Sequence, residues 1–313
     1  VRELDDLRHV TLRGAVTTDS VTVETDLTLD AAGHAMITAD ALSRVGVDTA
    51  HPLASRLPAD AFAAFATRTR VDDRAALVHA ITSTAVGILG TRVTDPTAAQ
   101  LDIDALFAQV GEETAAGISH EPEGGFEFTA LFSQRDDGTA ARAALTTLSR
   151  APWLRAARFG DTAVTVTFAN NVLTLRPHED HPSAAPARVQ AAADAGATAP
   201  VSPPQPPPAL ALAVVGNALV VVMGGHIDAA LAALAARASG PAPAVLGSAQ
   251  GSAIAGADLA GLVRTTPGAD EHPVVRATYS AERNGANVVG HGRIVLPPAI
   301  IRGALRGALQ PSR

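Results

Sequence analysis

The densest group of residues that could bind a metal ion is the run His178-Glu179-Asp180-His181. Imidazole and carboxylate groups are common zinc ligands, and two histidines three positions apart could hold zinc or nickel if the segment were helical. Pro177 and Pro182 flank the run, however, and proline is unfavourable inside a helix. We therefore interpret the run as the solvated start of a linker, with a metal site as the alternative.

Two carboxylates that could form an acid–base pair, Asp102 and Asp104, lie close together in sequence. Such a pair works only when both carboxyl groups point at one reacting bond of a substrate. Residues two positions apart diverge on a helix, and this spacing alone does not aim them at one point. Capping of a helix N-terminus is the better explanation for both.

The run Gly224-Gly225-His226 follows an apolar strand and precedes a predicted helix. Backbone N–H groups at a helix start can bind an anion. The run lacks the further glycines of a dinucleotide-binding motif and the Lys-Ser/Thr pair of a P-loop. We interpret it as a strand-to-helix turn, with Asp228 near the start of the helix.

A candidate nucleophile, Ser248, lies in the stretch Gly247-Ser248-Ala249-Gln250-Gly251. The serine stands one place too early for the G-x-S-x-G turn of serine hydrolases. The remaining histidines are isolated in sequence: His9, His34, His51, His79, His120, His272 and His291. We predict no catalytic, cofactor-binding or metal-ligating residues and no cofactor, while an enzyme with a site assembled from distant residues stays an open alternative.

The charged residues argue against a nucleic-acid-binding protein. The net charge is −7, and all 24 basic residues are scattered arginines. A nucleic-acid-binding protein normally carries a basic stripe. Arginine without lysine, together with abundant alanine, glycine, proline and valine, is typical of a GC-rich genome. We therefore predict no nucleic-acid partner.

The cysteine count and the hydropathy constrain the compartment. No cysteine is present, which excludes disulfides, thiolate metal sites and cysteine nucleophiles. No run of 18 apolar residues occurs, so we expect no membrane-spanning segment. The chain begins at Val1, which leaves open a signal peptide or lipid anchor before it.

The N-terminal part of the sequence predicts hairpins followed by helices. Apolar and polar residues alternate over 9–18 and 21–29, which indicates half-buried antiparallel strands, and 34–38 can return as a partner strand. Helical spacing of apolar residues then predicts helices over 72–90 and 102–110.

The next segment combines a strand, a helix and a hairpin. Alternating residues over 125–134 predict a strand, and an alanine-rich helix is expected over 139–149. Strands over 163–168 and 172–175 flank Asn170-Asn171, and asparagine tolerates the positive φ of a tight hairpin turn.

A proline- and alanine-rich linker is predicted over 179–208, which divides the chain into an N-terminal lobe, 1–178, and a C-terminal lobe, 209–313. The C-terminal lobe has hairpins at Gly216-Asn217 and Asn284-Gly285 and helices from 227 to 237 and from 297 to 309. The strands 209–215 and 218–223 are apolar on both faces, which predicts a central, covered position.

We therefore expect an α+β fold of antiparallel β-hairpins with helices packed on the sheets. A hairpin followed by a helix recurs at 209–237 and at 274–309, and a strand–turn–helix version occurs at 125–149. This recurrence predicts two lobes that repeat a diverged hairpin-plus-helix unit.

Four short motifs carry a resemblance to a family of bacterial envelope proteins of unknown function. They are Leu57-Pro58-Ala59-Asp60-Ala61, Gly111-Glu112-Glu113, Gly216-Asn217-Ala218-Leu219-Val220-Val221-Val222 and Ala257-Asp258-Leu259-Ala260-Gly261-Leu262. The resemblance spans about residues 57–300. It implies a secreted or lipid-anchored protein with repeated α/β lobes, and it supplies no catalytic residues.

We expect a non-enzymatic extracytoplasmic protein, in the periplasm or at the cell surface, that binds a protein partner or acts as an envelope scaffold. Exposed hairpin edges, which can accept a strand from a partner, motivate this expectation. A carrier of an apolar small molecule or lipid is the alternative, because the apolar residues of 209–223 could line a cavity. The partner's identity and the oligomeric state stay open.

Overall fold

One antiparallel sheet dominates the molecule. The computed structural model describes residues 7–18, 20–30, 50–68, 95–122, 124–159, 162–178, 208–237, 240–260 and 273–297. Within these residues thirteen strands join into one sheet, and neighbouring strands pair antiparallel. The predicted α+β fold built from antiparallel strands is therefore confirmed at this coarse level.

The strands are numbered in chain order. They are β1 Leu7–Val16, β2 Val21–Asp30, β3 Ala63–Arg68, β4 Val110–Glu121, β5 Gly125–Gln134, β6 Arg158–Phe159, β7 Thr162–Ala169, β8 Val172–Pro177, β9 Ala209–Val215, β10 Ala218–Gly224, β11 Ala253–Asp258, β12 Val274–Asn284 and β13 Asn287–Leu296.

The order of strands across the sheet is β1-β2-β13-β12-β11-β3-β4-β5-β10-β9-β8-β7-β6. Strands from before and after residues 179–208 are therefore direct neighbours, as where β10 pairs with β5 and where β13 pairs with β2. The predicted repetition of two lobes is not confirmed, because strands from both parts of the chain share this one sheet. Residues 179–207 lie outside the described residues.

Helices cover both faces of the central strands. The described helices are α1 Pro96–Phe107, α2 Thr139–Leu148, α3 Pro152–Arg155 and α4 Ile227–Ala236, with short 3-10 helices at Pro52–Arg56 and Ala244–Leu246. The first three α-helices bury their apolar side chains on one face, in a cluster that includes Leu219. The fourth α-helix and both 3-10 helices pack on the other face, in a cluster that includes Val220 and Val222. None of the described helices has the length and apolar character needed to cross a membrane.

The alternation along β10 explains these two layers. Successive side chains of a strand point to opposite faces, so a strand covered on both sides must be apolar throughout. The residues Leu219, Val220 and Val222 have 0% of their surface exposed to solvent. The predicted central position of 209–223 is confirmed, since β9 and β10 lie between β8 and β5.

The hairpin turns agree with the sequence, with one shift. Asn170 and Asn171 have φ of 53° and 62°, which fits a two-residue turn whose twist matches the flanking strands. The last hairpin turns at Gly285, with φ of 60°, and Ala286, because Asn284 still pairs with Asn287. The predicted turn at Asn284-Gly285 was therefore one residue too early.

The position of α1 corrects the prediction for Asp102 and Asp104. The helix starts at Pro96, and the side chain of Asp95 caps it by accepting the N–H of Ala98 at 2.9 Å. Both aspartates lie inside the helix, so their predicted capping role is wrong. The helix ends at Phe107, because Val110 already belongs to β4.

Several strands escaped the sequence patterns. We did not predict β3 or β11, which are rich in alanine and show no regular alternation of apolar and polar residues. The long β4 was not predicted as a strand either, and the predicted helix 102–110 overlaps it only at Val110. The predicted strand 34–38 and helices 72–90 and 297–309 lie outside the described residues, apart from Pro297.

A close approach between β11 and the second 3-10 helix requires Gly256. A Cβ atom at this position would overlap the backbone of Val245, with its carbonyl carbon at 2.5 Å. Small side chains thus let the 3-10 helix lie directly on the sheet.

We predict that Gly256→Ala lowers the free energy of unfolding by about 1–3 kcal/mol, because the new methyl group forces packed backbone apart. Gly14→Ala in β1 is the matched control, since a Cβ there meets no atom within 4 Å. Urea unfolding of both variants tests this, and equal midpoints for the two would contradict the packing argument.

Candidate functional site

An open cleft of about 580 Å³ lies between α4 and the segment that follows the first 3-10 helix. Its walls are mostly small and apolar, including Pro58, Ala59 and Ala233. Ionisable residues from β4, β5, α4 and the 3-10 segment also line it, so we name it the charged cleft. They are Arg56, Asp60, His120, Glu121, Glu127, His226 and Arg237.

Glu121 ends β4 and is held in place by glycines. Its side chain accepts the backbone N–H of Gly225, and only 9% of the residue is exposed. A Cβ at Gly224 would come within 2.5 Å of one carboxylate oxygen, and a Cβ at Gly125 within 2.7 Å of the other. At the turn before α4, Gly225 therefore donates its N–H to the carboxylate of Glu121, and Gly224 leaves room for that carboxylate.

Glu127 lies beside Glu121 at the start of β5. Burial raises the pKa of the Glu127 carboxyl, and the negative charges of Glu121 and Asp60 raise it further. The hydroxyl of Thr129 donates to Glu127 at 3.5 Å, which opposes the rise in pKa. Three carboxylates thus concentrate negative charge at one end of the charged cleft, which we name the acidic end.

Aromatic rings border the acidic end. The ring of His120 stacks on Phe62 with a centroid distance of 4.6 Å and lies 5.3 Å from Phe126. His226 stands at the N-cap position of α4. Rings beside carboxylates are the surroundings in which proteins bind cationic groups.

Two arginines lie at the opposite end of the charged cleft, which we name the basic end. Arg56 closes the first 3-10 helix and donates from Nη2 to the carbonyl of Val215 at 3.1 Å. Arg237 follows α4 and donates to the carbonyl of Pro241 at 2.7 Å. Burial lowers the pKa of Arg56, whose exposed fraction is 9%.

A buried carboxylate positions the 3-10 helix that carries Arg56. Glu113 is 5% exposed and accepts the backbone N–H of Leu53 at 2.5 Å. Its backbone N–H binds the hydroxyl of Ser133, next to the register shift between Val110 and Thr114 in β4. Burial raises the pKa of Glu113 to about 6, although hydrogen bonds from the 3-10 helix and the charge of Arg68 lower it.

The charged cleft can bind ligands that carry charges of both signs. Carboxylates at the acidic end suit a cation, and guanidinium groups at the basic end suit a carboxylate or phosphate. Two histidines beside three carboxylates could also exchange protons with a ligand. In the described part of the chain, no group of three or more ligand side chains has an arrangement that could hold a metal ion.

A second candidate surface is the outer apolar face, formed by Val10, Leu12 and Val16 of β1 with Ile294 of β13. The exposed fractions of Leu12 and Val16 are 68% and 79%. Leu12 and Val16 pair with Thr25 and Val21 of β2, and Ile294 pairs with Val23, so these side chains share one face. The opposite face carries polar partners such as Arg13 and Glu24.

The structure scatters the candidates singled out in the sequence. Asp102 accepts the indole N–H of Trp153 at 2.7 Å, and Asp104 accepts the amide of Gln100 at 2.9 Å. Both are therefore structural acceptors on α1. His178 is exposed beside Thr165, while the rest of its metal-type run, 179–181, lies outside the described residues.

Ser248 lies in an exposed loop after the second 3-10 helix. Among the described residues, no hydrogen bond joins this serine to a histidine. Its neighbours in an adjoining open pocket include Arg276 and Arg293.

The residues of the charged cleft were missed because they come from four separate segments. Glu121 and Glu127 flank a hairpin turn, where carboxylates usually face solvent, and His120, although next to Glu121 in sequence, was interpreted as an isolated histidine. The signal that could have found them is the pair of glycines at 224–225, which permits close approach of another chain segment.

Comparisons of the chain with protein-family models, with curated proteins and with solved structures find no match.

The raised pKa of Glu113 predicts how the free energy of unfolding changes with pH. The pKa rises from 4.5 to about 6 on folding, so the folded chain binds this proton more tightly than the unfolded chain. The stability from this group is fully present below about pH 4.5 and is lost as the pH rises through about 6.

We expect the free energy of unfolding of the wild type, relative to Glu113→Gln, to fall between about pH 4 and about pH 7. The amide keeps an acceptor for the N–H of Leu53 and removes the ionisation. Denaturant unfolding of both proteins across this range measures the difference. A difference that does not change with pH would show that Glu113 is not the titrating group.

Proposed function

We propose that this protein is a non-enzymatic binding protein that pairs with a strand of a protein partner at β1. The observation that carries the proposal is the exposed apolar stripe Val10, Leu12 and Val16 on the outermost strand of the sheet. Strand addition combines main-chain hydrogen bonds along an edge with pockets for alternate side chains. The apolar stripe on one face of β1 would supply the side-chain contacts, and the backbone of β1 would supply the hydrogen bonds.

The two edges of the sheet differ in a way that supports this choice. At one edge the last strand, β6, has two residues, and short edge strands are a common protection against unwanted pairing. At the other edge β1 has ten residues and contains no proline. In the described part of the chain no strand pairs with the outer side of β1, and this is the side that we propose for a partner strand.

Ion pairs hold β1 in place on the polar face of the sheet. Arg8 contacts Asp30 at 2.6 Å, and Arg13 contacts Asp26 at 3.5 Å. Exposed ion pairs contribute little to stability, but cross-strand pairs help to specify the register. A strand held in register is ordered before the partner binds, which lowers the entropic cost of pairing.

The location that we propose is extracytoplasmic. The motif resemblance to envelope proteins and the absence of cysteine support it, because free thiols are a liability in an oxidising compartment.

A second candidate function is an enzyme whose site is dispersed in sequence. One observation favours it, namely the charged cleft, in which His120 and His226 lie near Asp60, Glu121 and Glu127. Acid–base catalysis uses such groups.

Site-specific crosslinking in the protein's own host tests the binding proposal. A photoreactive amino acid at Val16 is expected to give an adduct with one partner protein. Burying a leucine is worth about 1.5–3 kcal/mol, so we expect Leu12→Asp to lower the adduct yield about tenfold or more. The yield is measured by blotting, and the partner segment is identified by mass spectrometry.

The matched control is Leu101→Asp on α1, since Leu101 is 65% exposed and Leu12 is 68% exposed. The control variant is expected to keep the adduct. Equal yields with Leu12→Asp and with Leu101→Asp, or no adduct at Val16, would contradict pairing at β1. An adduct with a second copy of this chain would identify the partner as the protein itself.

A further inference from the structure

We propose that the charged cleft binds an extended peptide segment of about six residues, with an acidic group at Arg56 and a basic group at the acidic end. The proposal is independent of pairing at β1, because five strands lie between β1 and β4 in the sheet. It assigns to the protein a second binding site, with its own ligand chemistry.

Among the described residues, no carboxylate forms an ion pair with Arg56 at the basic end. Arg56 is more than nine-tenths buried, and its Nε atom has no hydrogen-bond partner among the described residues. The guanidinium donates to a backbone carbonyl, that of Val215. A buried guanidinium without a carboxylate is costly, because the lost hydration is not replaced by an opposite charge. An acidic group of a ligand in the cleft would supply that charge in the bidentate geometry that arginine favours.

The acidic end carries three carboxyl groups, so its charge is opposite to that of the basic end. Glu121 and Glu127 both border Gly224, where a Cβ would lie 2.5 Å from a carboxylate oxygen of Glu121 and 3.5 Å from Cγ of Glu127, and Asp60 lines the same cleft. Glu121 is already bound by the backbone N–H of Gly225. The ring of His120, stacked on Phe62, closes this end with an aromatic surface. A lysine or arginine side chain of a ligand fits carboxylates beside aromatic rings.

The register of the sheet sets the distance between the two ends. Arg56 binds the carbonyl of Val215, which pairs with Ala218 at the start of β10. Glu127 lies at Gly224, the last residue of β10, where a Cβ would be 3.5 Å from its Cγ. Six residues of strand separate Ala218 from Gly224, which corresponds to about 20 Å. An extended chain of about six residues spans the same length.

The cross-section of the charged cleft suits a single extended chain. A volume of about 580 Å³ spread over about 20 Å leaves about 30 Å² across. Neighbouring chains in a sheet are about 4.8 Å apart and sheets about 10 Å apart, which gives about 48 Å² for a chain with full-sized side chains, so about 30 Å² admits only a chain with small side chains. The walls agree, since Pro58, Ala59 and Ala233 project little into the cleft.

Isothermal titration calorimetry with capped hexapeptides tests the proposal. The probes are KAAAAD, the reversed DAAAAK and the uncharged QAAAAN. We expect one of the charged peptides to bind the wild type at least about tenfold more tightly than QAAAAN. We expect Arg56→Met and Glu127→Gln each to weaken that binding about tenfold or more. Arg155→Met, at an exposed arginine on α3, is the matched control and is expected to change the affinity less than about twofold.

Thermal unfolding separates a binding role of Arg56 from a structural one. Replacing a buried, uncompensated charge with an apolar side chain of similar length is expected to keep or raise the melting temperature. A marked fall for Arg56→Met would assign the guanidinium to the fold and overturn its role in binding. For Glu127→Gln, unchanged affinity would overturn the role of the acidic end.

Equal binding of charged and uncharged peptides, or no binding of either, would also overturn the proposal. If acetate or phosphate alone binds as tightly as the charged peptides, the ligand of the cleft is a small anion and the peptide proposal is overturned. None of these results bears on crosslinking at Val16, so failure at one site is distinguishable from failure at the other.

Discussion

The pairing of β10 with β5 and β9 is the interaction on which the rest of the structure depends. It joins a strand from late in the chain to strands from the middle and places an apolar ribbon where both faces are covered. Residues 218–222 of β10 contribute alternately to two cores, Leu219 to one and Val220 and Val222 to the other. Because hydrophobic stabilisation grows with buried apolar area, a strand buried on both faces contributes more than an edge strand of the same length.

The same pairing builds the charged cleft. Gly224 at the end of β10 lets the carboxylates of Glu121 and Glu127 approach, and α4 leaves the sheet immediately afterwards. The other end of β10 brings the carbonyl of Val215 to Arg56. The strand β10 therefore runs from the basic end of the charged cleft to its acidic end. Low solvent exposure strengthens the electrostatic interactions of Arg56 and Glu121, since screening by water is reduced where side chains are buried.

The two candidate surfaces follow from a difference between the halves of the sheet. In the half around β10, helices cover both faces, and what stays open is a cleft lined by charges. In the half that ends at β1, alternation leaves apolar side chains such as Leu12 exposed on one face. The first arrangement suits ligands recognised by charge, while the second suits a partner that covers apolar surface and pairs backbone groups. Both can operate in one molecule because five strands lie between β1 and β4.

The sequence by itself determined the elements whose signal is local. Alternation in 21–29 and 125–134, and the turns at Asn170-Asn171 and Gly216, predicted strands and hairpins within a residue or two. Local patterns could not reveal β3 and β11, which are rich in alanine and lack a regular polar face, or the order of strands in the sheet. Tertiary structure alone decided that order, because long-range pairing depends on which faces are buried together. It also decided the charged cleft, since Arg56, Glu121, Glu127 and His226 converge only after β5, β9 and β10 have paired.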